Sequence, residues 1–239
     1  MLNPLLAIAL REYLAFFRTA TGWIIIAMFL LLTGYAFTSQ SLIAGAPATM
    51  RPLFSTGQWL LLLVAPAVSM RLVAEESRSG TLEALSATPT GDGQLVLGKF
   101  LGATLFLVTM IAPAGVFWIA LETLSDPEPG PAITGLIGLV LLGSLYLSAG
   151  LNFSALTRSQ PVAFLLTVAF FFGWHLAATH GAASLGAPWD RVAFGLSISE
   201  RLEDFAKGVI DTGHLVFFAA STCFFLILAA VFLESRRWR

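Results

Sequence analysis

The chain alternates between long apolar runs and short polar interruptions. The apolar runs are Gly22 to Thr38, Leu53 to Val73, Leu95 to Leu121, Ile133 to Leu156, Val162 to Thr179 and Leu215 to Leu233. A helix of about 20 apolar residues crosses roughly 30 Å of hydrocarbon, so each run predicts a spanning helix. Two further helices are predicted outside the spans. Near the N-terminus, Leu5, Leu6, Ile8, Ala9, Tyr13, Phe16 and Phe17 share one helical face, and Arg11, Glu12 and Arg18 take the other. That is the pattern of a helix lying in a membrane interface. The same charges interrupt the apolar core that a secretory signal would need. Between Gly181 and Gly213, Ser197 and Glu200 have capping-box spacing, while Leu202, Phe205, Ala206, Val209 and Ile210 recur at helical period. This predicts an amphipathic helix on the opposite membrane surface. The expected fold class is all-α: six spans, an N-terminal interfacial helix and an amphipathic helix before the last span. Ser125 to Pro131, with three prolines, reads as a rigid acidic turn that no helix continues through.

Charge placement orients these elements. With the N-terminus inside, Arg11, Arg18, Arg71, Arg78, Lys99, Arg158, Arg236, Arg237 and Arg239 face the cytoplasm, nine of the 13 basic residues. Arg51, Arg191, Arg201 and Lys207 fall outside. Positive charge collects on the cytoplasmic side, and six spans return the C-terminus there. Composition agrees: 57% of residues are hydrophobic and 11% charged, with a mean hydropathy of +0.83. The net charge of -1 and the absence of a basic cluster interleaved with aromatics exclude a nucleic-acid surface. The single cysteine, Cys223, reads as a thiol within the membrane and rules out an intrachain disulfide.

One polar island breaks this pattern with unusual composition: Glu75 to Pro89, between the second and third spans. From physics alone it is either an ordinary solvated loop or a docking element. Its residues Glu76, Ser79, Gly80, Thr81, Leu82, Glu83, Leu85 and Pro89, followed by Gly98-Lys99-Phe100-Leu101-Gly102, fit the pattern E-x-x-S-G-T-L-E-x-L-x-x-x-P and then G-K-F-L-G. In this the island closely resembles the first cytoplasmic loop of ABC-2 type transporter permeases. Phe205 to Asp211 and Leu215 to Phe218 resemble the gliding-motility-type branch of that family, which usually carries a charged pair where this chain has Gly213-His214.

The resemblance implies one transmembrane domain over residues 1–239, in the permease subunit of an ATP-driven exporter. It further implies a homodimer, or a heterodimer with a related permease, in the bacterial cytoplasmic membrane. A cytosolic ATPase subunit would hold the ATP and magnesium, with no cofactor and no catalytic site in this chain. The island would contain a short coupling helix seated in a groove of that ATPase. Ser79 would cap it, Gly80 and Thr81 open the turn, Leu82 and Leu85 form an apolar ridge, and Glu75, Glu76, Arg78 and Glu83 set electrostatic register.

Other motifs invite competing chemistry. Gly93 to Lys99 has the G-x-x-x-x-G-K spacing of a phosphate-binding loop, but Phe100 replaces the magnesium-binding Ser or Thr and no strand precedes it. Lys99 is expected instead to snorkel to the cytoplasmic interface. Gly98 and Gly102 form a G-x-x-x-G that lets another helix approach closely. His175, His180 and Glu122 sit at neighbouring span ends. They are either solvated interfacial groups or the ligands of a metal, the latter making the chain an integral membrane metal-binding enzyme or carrier. Asn152-Phe153-Ser154 is a glycosylation sequon placed inside a span, where no glycan is added. Trp59, Trp118, Trp174 and Trp238 read as interfacial anchors.

Overall fold

A computed structural model describes residues 4–43, 47–79, 91–125, 127–181 and 195–236. The described residues are almost entirely helical and contain no strand. Helix α1 (Pro4–Phe17) leads into α2 (Ala20–Ser41) and α3 (Arg51–Ser79). Helix α4 (Asp92–Ile111) passes through a 3-10 turn (Ala112–Gly115) into α5 (Val116–Leu124). Helix α6 (Pro129–Leu156) is followed by α7 (Gln160–Leu176), which ends in a π turn (Ala177–Gly181). Helices α8 (Ile198–Ala206) and α9 (Thr212–Arg236) complete the chain.

Six of these segments are long and apolar enough to cross a membrane, as the hydropathy pattern predicts: α2, α3, α4 with α5, α6, α7 and α9. Pro113 falls in the 3-10 turn and breaks the third span into its two helices without ending it. The acidic turn is shorter than expected. Pro129 opens α6 and Pro131 lies in its first turn, where a missing N–H costs no intrahelical bond.

Helix α6 is the centre of the bundle. It packs against α3, α4, α7, α8 and α9, and 67% of its most apolar window is buried, against 22% for α7 and α9. Small residues make this possible. A Cβ on Gly135 would lie 2.2 Å from the Phe54 ring, and one on Gly138 would meet Leu202 and Phe205 at 2.9 Å. The outer faces of α2 and α9 leave Ile24, Leu31, Ile227 and Val231 more than half exposed.

Helix α8 begins as its sequence predicts, with the Ser197 hydroxyl accepting from the Glu200 amide at 3.4 Å. Its apolar face is not turned to the membrane, however. Leu202 and Phe205 are buried over Gly138 of α6, and the Thr134 hydroxyl donates to the Phe205 carbonyl at 2.6 Å. Val209 and Ile210, expected on the same face, lie beyond the helix end and are exposed. A cross-brace ties α8 to α9: Arg201 Nη1 lies 2.8 Å from His214 Nδ1, and His214 Nε2 lies 3.0 Å from Asp204 Oδ2. The amphipathic pattern marked a buried face correctly, but the neighbour covering it is protein.

Candidate functional site

The polar island starts as helix. Glu75 to Ser79 complete the last turns of α3 instead of opening a loop, so Ser79 closes one helix. Glu75 and Arg78 are exposed there, and Glu76 is turned inward. Gly80, Thr81, Leu82, Glu83 and Leu85, the remainder of the expected coupling element, lie outside the described residues.

What the structure does show is how both flanks of the island are held. Lys99, two turns into α4 from its start, is 1% exposed, contrary to the expectation that it snorkels outward. Its ammonium lies 2.7 Å from Glu76 Oε1 and 3.2 Å from Glu12 Oε1. Arg11 bridges the same two carboxylates at 2.8 Å to Glu12 and 3.4 Å to Glu76. Two cations and two anions from α1, α3 and α4 thus form one neutral cluster. Charge balance is what permits Lys99 to be buried, because an unpaired ammonium there would bear the whole desolvation cost. Burial by itself would raise the Glu12 carboxyl, yet Lys99 and Arg11 together hold it below its ordinary value.

Glu12 was expected on the solvated face of α1; it instead belongs to the face that docks on α4. The G-x-x-x-G of α4 does admit a close neighbour, and that neighbour is α1. A Cβ on Gly102 would lie 2.5 Å from the Ala9 carbonyl oxygen, and one on Gly98 would lie 2.8 Å from Ile8. Tyr13 Oη and Thr109 Oγ1 lie 3.2 Å apart, and Phe16 stacks on Phe106 at 4.4 Å between centroids. Arg71 of α3 also sits over the Phe16 ring, 4.4 Å from its centroid. Leu6, Leu10 and Leu14 remain exposed along the outer stripe of α1. Sequence reasoning singled out Lys99, Glu76 and the glycines but not Arg11 and Glu12, which complete the cluster.

At the other end of the bundle, His175 and Glu122 do not form a ligand set. Among the described residues no three of His, Cys, Asp and Glu converge as metal ligands. His175 Nδ1 lies 3.2 Å from Ser199 Oγ, which accepts from Gln58 Nε2 at 2.5 Å, and its ring meets Trp59 edge-on at 4.8 Å. Glu122 is exposed, and the His180 side chain is outside the described residues. Trp174 donates to the Leu196 carbonyl at 2.8 Å. Gly93 to Lys99, the segment with phosphate-loop spacing, is helical throughout, and from Gln94 onward its backbone amides bond to carbonyls of α4 and its Gly91 cap.

Comparison with known proteins bears on this arrangement. The "Probable ABC transporter permease protein NosY" of Pseudomonas aeruginosa is 31% identical over 147 residues, which is 58% of this chain and 54% of that protein. The protein of the same description from Stutzerimonas stutzeri is 35% identical over 78 residues, 33% of this chain and 28% of that protein. The matches therefore span about half the length, or less, of these curated relatives. A model of the ABC-2 family transporter proteins matches residues 6–189, a stretch that takes in most of α1, the polar island and five of the six candidate spans. On that extent of match the chain belongs to the ABC-2 family of transporter proteins.

Proposed function

We propose that this chain is the permease subunit of an ATP-driven exporter, moved by a separate cytosolic ATPase that presses on the loop after Ser79. The observation that carries this reading is the bracing of both ends of that loop: Glu76 before it and Lys99 after it are joined at 2.7 Å and pinned to α1. A loop meant to transmit force needs ends that do not yield, and a charge cluster built on a buried ammonium supplies that stiffness. Glu75 and Arg78, exposed on the last turns of α3, are available to set register with the ATPase, together with Glu83. Glu76 has a different task from the one first expected of it, as an internal brace. Gly80, Thr81, Leu82 and Leu85 supply the docking element itself.

The basic residues favour an N-in, C-in orientation in a bacterial cytoplasmic membrane, with α1 and the loop at the cytosolic face. The exposed apolar faces of the bundle suit lipid and a second permease subunit, either identical or related. ATP and magnesium are held by the partner ATPase. The gliding-motility-type branch remains a proposal resting on Phe205 to Phe218, a region outside the family match.

Pull-down of the ATPase subunit with the permease in detergent, together with ATP hydrolysis by the complex, tests the reading. Leu82→Asp places a charge in an apolar groove, and loss of a central anchor commonly costs about 2 kcal/mol or more, roughly thirtyfold in affinity. The expected result is loss of the ATPase from the pull-down with the six spans intact. Normal assembly and hydrolysis in Leu82→Asp and Gly80→Val would remove the loop from the mechanism.

A further inference from the structure

Helix α3 is weakened twice between its middle and its loop end. Pro66 has no N–H, so the Leu62 carbonyl loses its partner four residues on. Two turns later the Ser154 hydroxyl of α6 is applied to the next rung but one: it donates to the Met70 carbonyl at 2.8 Å and accepts from the Ala74 amide at 2.9 Å and the Val73 amide at 3.3 Å. Met70 and Ala74 are the two ends of a single i to i-4 backbone bond. A side chain placed against such a rung is one of the identifiable causes of bending in long helices, as is an internal proline. Ser154 is fully buried, as are Val73 and Ala74, so no water reaches this rung. The residue that reads in sequence as part of an unused sequon is therefore spent on the backbone of another helix.

The two sides of this weak zone are held by different neighbours. Towards α8, the first part of α3 is keyed into α6 by Phe54 against Gly135 and by Leu139 against Gly57. Closer to the zone, Ser69 approaches α6 so tightly that a Cβ on Gly150 would lie 2.0 Å from its hydroxyl oxygen. Towards the loop, Glu76 is held by Lys99 and Arg11, outside α6 altogether. The part of α3 before Pro66 is thus fastened to α6, while Glu76, past the rung that Ser154 touches, is fastened to α1 and α4.

We infer that Ser154 is the pivot of α3: a positioning residue that serves as a spare hydrogen-bond partner while the segment from Ala74 to Ser79 tilts against the rest of the bundle. The argument is energetic. Opening the Met70 to Ala74 rung in a water-free interior strands one donor and one acceptor, at a cost of several kcal/mol. Ser154 can satisfy both groups at once, since its hydroxyl has one proton to give and lone pairs to accept with. The rung opens without an orphaned polar group, and Pro66 has already removed the rung that would resist bending from the other side. Because Ser154 is carried by α6, displacement of the loop is delivered to the helix that touches most of the others. This inference rests on the proposed coupling role of the loop, and it adds the route by which the loop's movement enters the bundle.

The test uses the complete transporter with its ATPase in lipid nanodiscs. Amide hydrogen exchange is followed with and without ATP and vanadate, over residues 70–79 and over α8 at the far end of the bundle. In the parent protein, nucleotide trapping should change exchange in both regions. Ser154→Ala should keep ATPase binding and hydrolysis and keep the change over residues 75–79, but lose the change in α8. Without nucleotide, its Val73 and Ala74 amides should exchange about twofold to tenfold faster, the effect of one lost hydrogen bond. Pro66→Ala, which restores the missing N–H and stiffens the zone, should abolish the response in α8 with Ser154 still present, and it decides the matter if Ser154→Ala does not accumulate. A response in α8 equal to the parent's in these variants overturns the pivot. No nucleotide response in residues 70–79 of the parent protein overturns the coupling reading itself, a result distinct from the first.

Discussion

Lys99 Nζ lies 2.7 Å from Oε1 of Glu76, an ion pair between residues 23 apart that closes the polar loop like a clasp. The clasp also carries α1, because Glu12 shares the same ammonium at 3.2 Å. The docking of the N-terminal helix and the holding of the loop's two flanks therefore depend on the same ammonium.

Removing the cation tests this directly. In Lys99→Met two carboxylates would face each other with only the half-exposed Arg11 between them. Breaking a buried pair by deleting one partner costs about 3 to 5 kcal/mol, most of it from the charge left behind. Helix α1 should then leave α4, and trypsin should cleave after Arg11 and Arg18 much faster than in the parent protein. Adding Glu12→Gln to Lys99→Met should recover part of the protection, since the uncompensated charge is gone. Unchanged cleavage in Lys99→Met would show that Phe16, Phe106 and the glycine groove hold α1 without the clasp.

Acid should act on the same contact. The Glu12 carboxyl is held below its ordinary value of 4.5, so its contribution is fully present above that value and is lost as pH falls through the depressed one. Amide exchange of residues 4–17, corrected for intrinsic pH dependence, should show constant protection from neutrality down to about pH 5 and a loss below about pH 4. Glu12→Gln should shrink that step and leave weaker protection throughout. A step near neutrality would assign the effect to another group.

The six spans were legible because twenty apolar residues in succession have few other uses, and the Ser197 cap because its spacing to Glu200 is local. The clasp was not. Lys99 beside a predicted membrane face has the sequence environment of a snorkelling lysine, and its carboxylate partner Glu12 lies 87 residues away on a helix whose charges read as solvated. Gly98 and Gly102 announced a close neighbour without saying which, since hydropathy does not distinguish a spanning helix from α1. Ser154 offered still less. Its hydroxyl is spent on the backbone of α3, and backbone acceptors leave no mark in a sequence.

Orientation can be read by labelling. Single cysteines at Ser77 and Ser235 should react with a membrane-impermeant maleimide only from the cytoplasmic side, and one at Glu128 only from outside. The native Cys223 lies on α9 within a candidate span and is replaced by serine as background. External reaction at Ser77 would invert the topology and place the loop beyond reach of a cytosolic ATPase.

The last expectation separates two ways of holding α8. Membrane binding would make Val209 and Ile210 matter alongside Phe205, since all three are apolar side chains that such a surface would bury. The structure buries Phe205 completely and leaves Val209 52% and Ile210 54% exposed. Phe205→Glu would drive a carboxylate into the space over Gly138, where burying it costs several kcal/mol unless the helix departs. Departure would also break the bond from the Thr134 hydroxyl to the Phe205 carbonyl at 2.6 Å, leaving that hydroxyl to the Gly130 carbonyl of its own helix at 2.9 Å. Phe205→Glu should thus raise amide exchange from Ile198 to Ala206, and Val209→Glu should leave that exchange unchanged. Equal effects from the two variants would return α8 to the membrane surface and take its packing on α6 out of the fold's stability.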